Sequence, residues 1–145
     1  DILKFSISII ENYFYDKWHK DKKLHDLLGI DNVKQISENE SIIIGGDTDS
    51  IFLSLYPAIK SCNYQGDTLD FSLKFYELKF KDYFDNKLEK YANKFNVEIL
   101  QKFELEKVSK SGILLKKKKA ASKIINNENV FILSLNSSQK GLRSV

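Results

Sequence analysis

Two aspartates, Asp47 and Asp49, stand one residue apart in the sequence IIIGGDTDSIFL of residues 42–53. Two carboxylates held close together repel each other, and a cation that lies between them offsets this repulsion. Carboxylate oxygens are ligands that Mg²⁺ and Mn²⁺ prefer. The pair therefore favours a divalent metal site. An exposed turn, in which Asp47 caps the backbone and Asp49 is solvated, is the alternative that the spacing leaves open.

Glycines and strand-forming residues surround this pair. The apolar, β-branched runs SIII (41–44) and SIFLSLY (50–56) flank Gly45, Gly46 and the two aspartates, which predicts a β-hairpin with the carboxylates at its tip. Successive side chains of a strand point to opposite faces, but a tight turn relaxes this rule, so both carboxylates can approach one point. The two glycines would allow another backbone or a phosphate to approach closely.

A run of four lysines, Lys116 to Lys119, lies in the last third of the chain. The net charge of +3 is too small by itself to indicate nucleic-acid binding, and the clustering of the lysines is the stronger signal. Consecutive lysines can neutralise backbone phosphates. They can equally form the solvated edge of a strand, where charge opposes aggregation.

Hydrophobic periodicity predicts the helices that hold these motifs in place. An amphipathic helix is expected over residues 2–18 and a short one over DKKLHDLLG, which ends at Gly29 and is followed by a polar loop. Pro57 ends the second hairpin strand. Asp67 or Thr68 caps a long helix. The apolar stripe of this helix is predicted at Leu69, Leu73, Tyr76, Phe80, Tyr83, Leu88, Tyr91 and Phe95.

Three strands are predicted in the last third of the chain, over residues 97–108, 113–125 and 130–135. The order of helix, hairpin, long helix and three strands predicts an α+β fold, in which helices pack on an antiparallel sheet. The 145 residues are expected to form one domain, and this length suffices to bury a core.

Composition excludes several classes of protein. The single cysteine, Cys62, rules out an internal disulfide and a cysteine-based zinc site, and a reducing compartment is expected. No apolar run approaches the roughly 20 residues that cross a bilayer, and the start lacks the features of a secretory signal. No methionine occurs, so the chain is expected to be part of a longer protein. His19 and His25 are interpreted as structural residues on helix surfaces, Cys62 as a small apolar residue, and Trp18 as core.

The motif GGDTDSIFLSL resembles the Tyr-Gly-Asp-Thr-Asp-Ser segment of family B DNA polymerases. Three further segments resemble that family in the same order. FELEKV (103–108) is similar to its Leu-Glu-Lys-Val strand, LLKKKKAA (114–121) to its Lys-Lys-Arg-Tyr-Ala segment, and QKGLRSV (139–145) to its Lys-Gly-(Leu/Ile)-x-x-Val-Arg run. The layout is most similar to that of polymerases from large tailed phages.

The resemblance implies that residues 1–145 form a palm-domain fragment of a DNA-directed DNA polymerase, which transfers deoxynucleotides to a primer 3′-hydroxyl in DNA replication. It implies that Asp49 is the firm metal ligand, that Asp47 supports it, and that Glu106 lies near the metals. The implied cofactor is Mg²⁺ or Mn²⁺ in a two-metal site, which an aspartate outside this chain completes. The other implied site residues are Gly45, Gly46, Thr48 and Ser50 at the turn and primer end, and Lys116, Lys117, Lys118 and Lys119 on the DNA.

The implied partners are primer–template DNA, deoxynucleoside triphosphates and the remaining polymerase segments, with no membrane. The exonuclease, fingers and thumb of the family are not found in these 145 residues, so the chain alone is expected to be inactive. A phage or viral protein of this kind acts in the cytoplasm of its host cell. Gly45 stands where the family has Tyr, and Lys118 and Lys119 stand where it has Arg and Tyr. These departures change the expected primer contacts and leave the metal ligands in place.

Other interpretations of the same residues remain open. A palm-like nucleotidyl cyclase or oligonucleotide synthetase would explain Gly45, Gly46 and Asp47, but it would not explain the LEKV and KKKKA segments. A non-catalytic nucleic-acid-binding palm subunit is a second alternative, and the presence of both aspartates counts against it. Glu106 can equally be a cross-strand partner of a lysine such as Lys107.

Overall fold

Helices and strands follow one another largely in the predicted order. The computed structural model describes residues 2–47, 50–94, 101–109, 113–114, 123–124 and 130–137, with side chains at 3–46 and 50–94. The helices are α1 (Ile2–Asn12), a π-helical turn (Tyr13–Lys17) with a 3₁₀ turn (Trp18–Lys20), α2 (Lys22–Leu28), α3 (Tyr56–Ser61), α4 (Thr68–Phe75), a π-helical segment (Tyr76–Phe84) and α5 (Asp85–Lys94). The strands are β1 (Ile43–Asp47), β2 (Ser50–Ser54), β3 (Gln101–Ser109), β4 (Ile113–Leu114), β5 (Lys123–Ile124) and β6 (Val130–Ser137). The prediction of an α+β fold with helices packed on an antiparallel sheet is confirmed.

The main sheet has four strands in the order β1-β2-β6-β3, and all its pairs are antiparallel. β1 and β2 form the predicted hairpin. β6, the last strand in the chain, lies between β2 and β3, so the pairing that completes the sheet joins residues about 80 positions apart. The hairpin therefore occupies one side of the sheet, with β1 at its edge.

The single strand predicted over residues 113–125 is wrong. β4 and β5 instead pair with each other in an antiparallel two-stranded sheet, with Ile113 opposite Ile124 and Leu114 opposite Lys123. The sequence between them contains no glycine, proline or asparagine, and Ser122 is the only residue in it that is common in turns. Residues 115–122 lie outside the described residues.

The short elements beside the hairpin have clear local causes. Asp21 caps α2 by accepting a hydrogen bond from the Leu24 backbone N–H, and α2 ends at Gly29 with a φ of 72°, as predicted. β2 ends at Ser54, before Pro57, as predicted. Pro57 also lies in the first turn of α3, a helix that was not predicted because six residues are too few to show a period.

The apolar stripe of the long helix differs from the predicted one. Asp67 caps α4 as predicted, but Leu73 is 42% exposed, and Leu69 is also exposed. The residues that are buried are Phe71, Phe75, Phe80, Phe84 and Leu88. The segment Tyr76–Phe84 is π-helical, and its wider turn accommodates the five-residue step from Phe75 to Phe80. Phe80 and Leu88, which the predicted stripe includes, are buried, and Tyr76 and Tyr83 are partly buried against the core. The predicted stripe is therefore wrong at Leu69 and Leu73, in α4.

The core lies between the helices and the sheet. Aromatic side chains dominate it, and the Phe14 and Phe75 rings stack with their centroids 5.3 Å apart. Trp18 is fully buried, as predicted. His25 was predicted on a helix surface but is only 2% exposed, and its Nε2–H donates to the Trp18 carbonyl oxygen at 2.7 Å. Burial raises the pKa of the Cys62 thiol to about 11, so this thiol stays protonated at neutral pH.

An ion pair joins three helical elements. Asp21 accepts hydrogen bonds from the Tyr13 hydroxyl at 2.7 Å and from Lys79 Nζ at 2.9 Å. The Lys79 ammonium also lies 4.4 Å from the centre of the Tyr83 ring. Burial by itself would raise the pKa of Asp21, but the hydrogen bonds from Lys79 and Tyr13 outweigh it and hold the pKa below its ordinary value.

No helix within the described part of the chain is long and apolar enough to span a membrane.

Candidate metal centre

The hairpin brings Asp47 into the sheet at the end of β1. Asp47 lies directly opposite Ser50, the first residue of β2, and only Thr48 and Asp49 connect them. Residues directly opposite each other on antiparallel strands have Cα atoms about 4.5–5.5 Å apart. Asp49 is bonded to Ser50, so the chain itself keeps both aspartates at this end of the hairpin. Thr48, Asp49 and the Asp47 side chain lie outside the described residues.

A bulge in β1 sets this register. Ile43 lies opposite Leu53 and Gly45 lies opposite Phe52, so Ile44 is an extra residue in β1. If β1 had no bulge and Ile44 lay opposite Phe52, Gly46 would lie opposite Ser50. Asp47 would then belong to a three-residue loop. The bulge therefore gives Asp47 a paired position in the strand, opposite Ser50. The two glycines that follow Ile44 are the sequence signal that could have predicted it.

The two glycines differ in what surrounds them. A Cβ atom at Gly46 would lie 3.0 Å from the Ser50 carbonyl oxygen, which belongs to the backbone of the partner strand. A Cβ atom at Gly45 would lie 3.4 Å from Cδ2 of Phe52, which is close to ordinary contact. The backbone that lies close to Gly46 is therefore that of β2, and the approach of a phosphate or primer end to these glycines stays a prediction.

Ser50 carries a buried oxygen next to the aspartates. Its side chain is 0% exposed, and its Oγ finds no hydrogen-bond partner among the residues that the structure describes. A buried hydroxyl without a partner costs about 1–3 kcal/mol. An ion or its bound water at this end of the hairpin would remove that cost. Carboxylate and hydroxyl oxygens are hard ligands, so the residues present fit Mg²⁺ or Mn²⁺.

Tyr15 fixes the chain where it enters β1. Its hydroxyl donates to the Glu40 carbonyl oxygen and accepts from the Ile42 backbone N–H at 3.3 Å. Burial raises the pKa of Tyr15 above its ordinary value, so the hydroxyl keeps the proton that it donates. The helical layer therefore holds the strand that ends at Asp47, and the sequence carries no signal for this contact.

The other predicted acidic residue, Glu106, lies in β3 at a second bulge. Leu105 lies opposite Leu133 and Lys107 lies opposite Ile132, so Glu106 has no register partner on β6. Its role near the metals stays a prediction. The sequence did not distinguish it from Glu104, because strict alternation in FELEKV treats both positions alike.

The lysine run, Lys116 to Lys119, lies outside the described residues. It belongs to the segment that connects β4 to β5 in the sequence. Within the described side chains, no group of three or more His, Cys, Asp or Glu residues could hold a metal ion. The Asp47 side chain and Asp49 lie outside the described side chains.

Comparison with protein-family models, with curated proteins and with solved structures gives no match to this chain. Its function is therefore inferred from the sequence motifs together with the geometry of the hairpin.

Proposed function

We propose that this chain is the palm domain of a family B DNA-directed DNA polymerase, which carries out metal-dependent transfer of deoxynucleotides to a primer. One observation carries the proposal. The segment GGDTDS forms an antiparallel hairpin whose bulge places Asp47 opposite Ser50, with Asp49 in the two-residue connection. Ser50 also supports the proposal, because its hydroxyl is buried and has no hydrogen-bond partner among the described residues. A turn that binds no ion has no use for a buried hydroxyl of this kind.

In the proposed reaction, the primer 3′-hydroxyl attacks the α-phosphate of a deoxynucleoside triphosphate, and pyrophosphate leaves. Mg²⁺, when bound, neutralises charge on the reacting oxygens. Asp49 holds it, with support from Asp47 and from an aspartate outside this chain. Asp47 is positioned by the β1 bulge, and Gly46 allows the two strands to approach closely enough to form the tip.

The lysine run supplies the second part of the proposal. Lys116 and Lys117, with Lys118 and Lys119, contact backbone phosphates of the primer–template duplex. Contacts to phosphates depend on charge and duplex shape, so binding is independent of the DNA sequence. The remaining polymerase segments, with the fingers, thumb and exonuclease, are the other partners of the chain.

The proposal is tested by two substitutions at the tip. In an enzyme completed with the segments that the family carries outside this chain, Asp49→Asn should lower the rate of primer extension in Mg²⁺ by about 100-fold or more. Asp47→Asn should lower it less, because Asp47 has the supporting role. Removal of a charged ligand withdraws stabilisation that is largest in the transition state.

Asp31→Asn is the matched control, since Asp31 is an exposed aspartate in the loop before the hairpin. This variant should extend primers at the wild-type rate. If all three variants lose equally little activity, the pair of aspartates is an ordinary turn and the proposal is wrong.

A further inference from the structure

Exposed leucines lie together on the outer side of the helical layer. Leu27 of α2 is 56% exposed, and on the long helix Leu73 is 42% and Leu78 is 38% exposed. These three leucines line one shallow pocket of about 340 Å³, together with Lys74 and Glu77. Single apolar side chains are common on protein surfaces, but a contiguous apolar patch marks an interaction site. We call these five residues the leucine face.

The core of the molecule is filled without these leucines. The buried side chains of α4 and of the π-helical segment include four phenylalanines, Phe71, Phe75, Phe80 and Phe84. In α2, Leu24 and Leu28 are buried, whereas Leu27 lies on the outer side of the helix. The leucine face is therefore available to another molecule.

Charged residues on the same side of the long helix alternate in sign. In chain order they are Asp70, Lys74, Glu77 and Lys81. Within the helix, Asp70 pairs with Lys74 at 3.5 Å and Glu77 pairs with Lys81 at 3.3 Å. All four side chains are more than half exposed, so they can also contact a neighbouring molecule. The order negative, positive, negative, positive is complementary to itself when one helix lies antiparallel to a second copy.

We propose that the leucine face docks on the leucine face of a second copy of this chain, about a two-fold axis that crosses the long helix between Lys74 and Glu77. This axis places Lys74 opposite the partner subunit's Glu77 and Leu73 opposite the partner subunit's Leu78. Positions 74 and 77 and positions 73 and 78 have the same midpoint, so the charges and the leucines match about one axis. The dimer does not depend on the proposed metal site.

The balance of charge on the leucine face favours a second copy as its partner. The pocket beside β1, in contrast, is lined by Glu11, Asp16 and Glu38, and two copies of that surface would repel each other. On the leucine face, one lysine and one glutamate flank the leucines, so each charge meets its opposite in the second copy. A contact between two helix faces is small, and we expect a dissociation constant in the micromolar range.

Sedimentation velocity of the full chain between roughly 1 and 500 µM tests the dimer, because this range spans a micromolar dissociation constant. The mass should rise from the 16.8 kDa of one chain toward twice that value. A chain that stays monomeric over the whole range shows that the leucine face belongs to a different partner, and the inference is then wrong.

A lysine in place of Leu73 tests the position of the interface. Leu73→Lys should raise the dissociation constant about tenfold or more, because its ammonium would be buried against the partner subunit's Leu78. Tyr56→Lys is the matched control, since Tyr56 is 38% exposed and lies on α3, outside the leucine face. This variant should dimerise as the wild type does, and circular dichroism checks that both variants are folded. Equal dissociation constants for the two variants would contradict the inference.

Two charge reversals test the axis. Lys74→Glu places glutamates opposite each other across the axis, and Glu77→Lys places lysines there, so each variant alone should dimerise about tenfold more weakly than the wild type. An equimolar mixture of the two variants restores opposite charges at both contacts and should dimerise about as tightly as the wild type. Mixing cannot repair an ion pair within one helix, so recovery identifies a contact between chains. A mixture that associates no more tightly than either variant alone would contradict the two-fold axis and the inference.

Discussion

At position 46 the packing of the hairpin leaves little room for a single added carbon atom. A Cβ there would lie 3.0 Å from the Ser50 carbonyl oxygen, and this oxygen cannot move aside unless the two strands separate. At Gly45 the nearest atom is a ring carbon of Phe52, at 3.4 Å, and a side chain adjusts more easily than a backbone. Neither glycine has a positive φ, so close packing and not backbone conformation sets the difference.

Alanine at these two positions gives a matched comparison. Gly46→Ala should lower the free energy of unfolding by about 1–3 kcal/mol, because overpacking must be relieved by a backbone shift. Gly45→Ala should change it by less than about 1 kcal/mol, since the loss of glycine flexibility in the unfolded chain offsets the tighter contact. Urea denaturation measures both. Equal losses would mean that the strands at position 46 are farther apart than this structure has them.

Sequence periodicity predicts the long helix but only part of its buried face. Its start at Asp67 was predictable, because an aspartate cap is a local signal. Its buried face was predictable only in part, because Phe80 and Leu88 are buried as predicted whereas Leu69 and Leu73 of α4 are exposed. The wider turn of the π-helical segment adds a five-residue step between the buried Phe75 and Phe80, which a uniform period of 3.6 residues does not predict.

Two substitutions on this helix distinguish the two faces. Phe75→Ala should lower the free energy of unfolding by about 3–5 kcal/mol, because the Phe14 ring stacks on Phe75 and a cavity would remain. Leu73→Ala should cost less than about 1 kcal/mol, because Leu73 is half exposed. Phe75→Leu, with a loss of about 1–2 kcal/mol, keeps the series measurable if the alanine variant does not fold. The reverse ranking would favour the stripe with a period of 3.6 residues.

Across the described part of the molecule, local signals predicted most of the elements, and non-local pairing decided how the main sheet is assembled. The hairpin, the helix caps at Asp21 and Asp67 and the fold class follow from neighbouring residues. The insertion of β6 between β2 and β3 does not, and neither do the two bulges, because they depend on strands that are distant in sequence. Glu104 and Asp47 fall in one register row only through these pairings, so the sequence alone does not predict that alignment.

The ion pair between Asp21 and Lys79 makes the stability of the whole molecule depend on pH. Its side chains are 19% and 14% exposed, whereas those of the pair between Asp70 and Lys74 are 53% and 56% exposed. The folded-state pKa of Asp21 lies below its ordinary value of 3.8. The stabilisation from its charge is therefore fully present above that ordinary value, and it is lost as the pH falls through the lower pKa of the folded state.

Glutamine at each lysine tests this dependence. At pH 7, Lys79→Gln should lower the free energy of unfolding by roughly 2 kcal/mol, which is less than for a fully buried pair. Lys74→Gln should lower it by about 0.5 kcal/mol or less, because the exposed pair is screened by solvent.

Unfolding is followed by circular dichroism in urea between pH 7 and pH 2. The deficit of Lys79→Gln relative to the wild type should narrow below about pH 4, as Asp21 becomes protonated in both proteins. A part should remain at pH 2, since the contact between the Lys79 ammonium and the Tyr83 ring does not depend on Asp21. A deficit that stays constant over the whole range would show that the charge of Asp21 does not stabilise the fold.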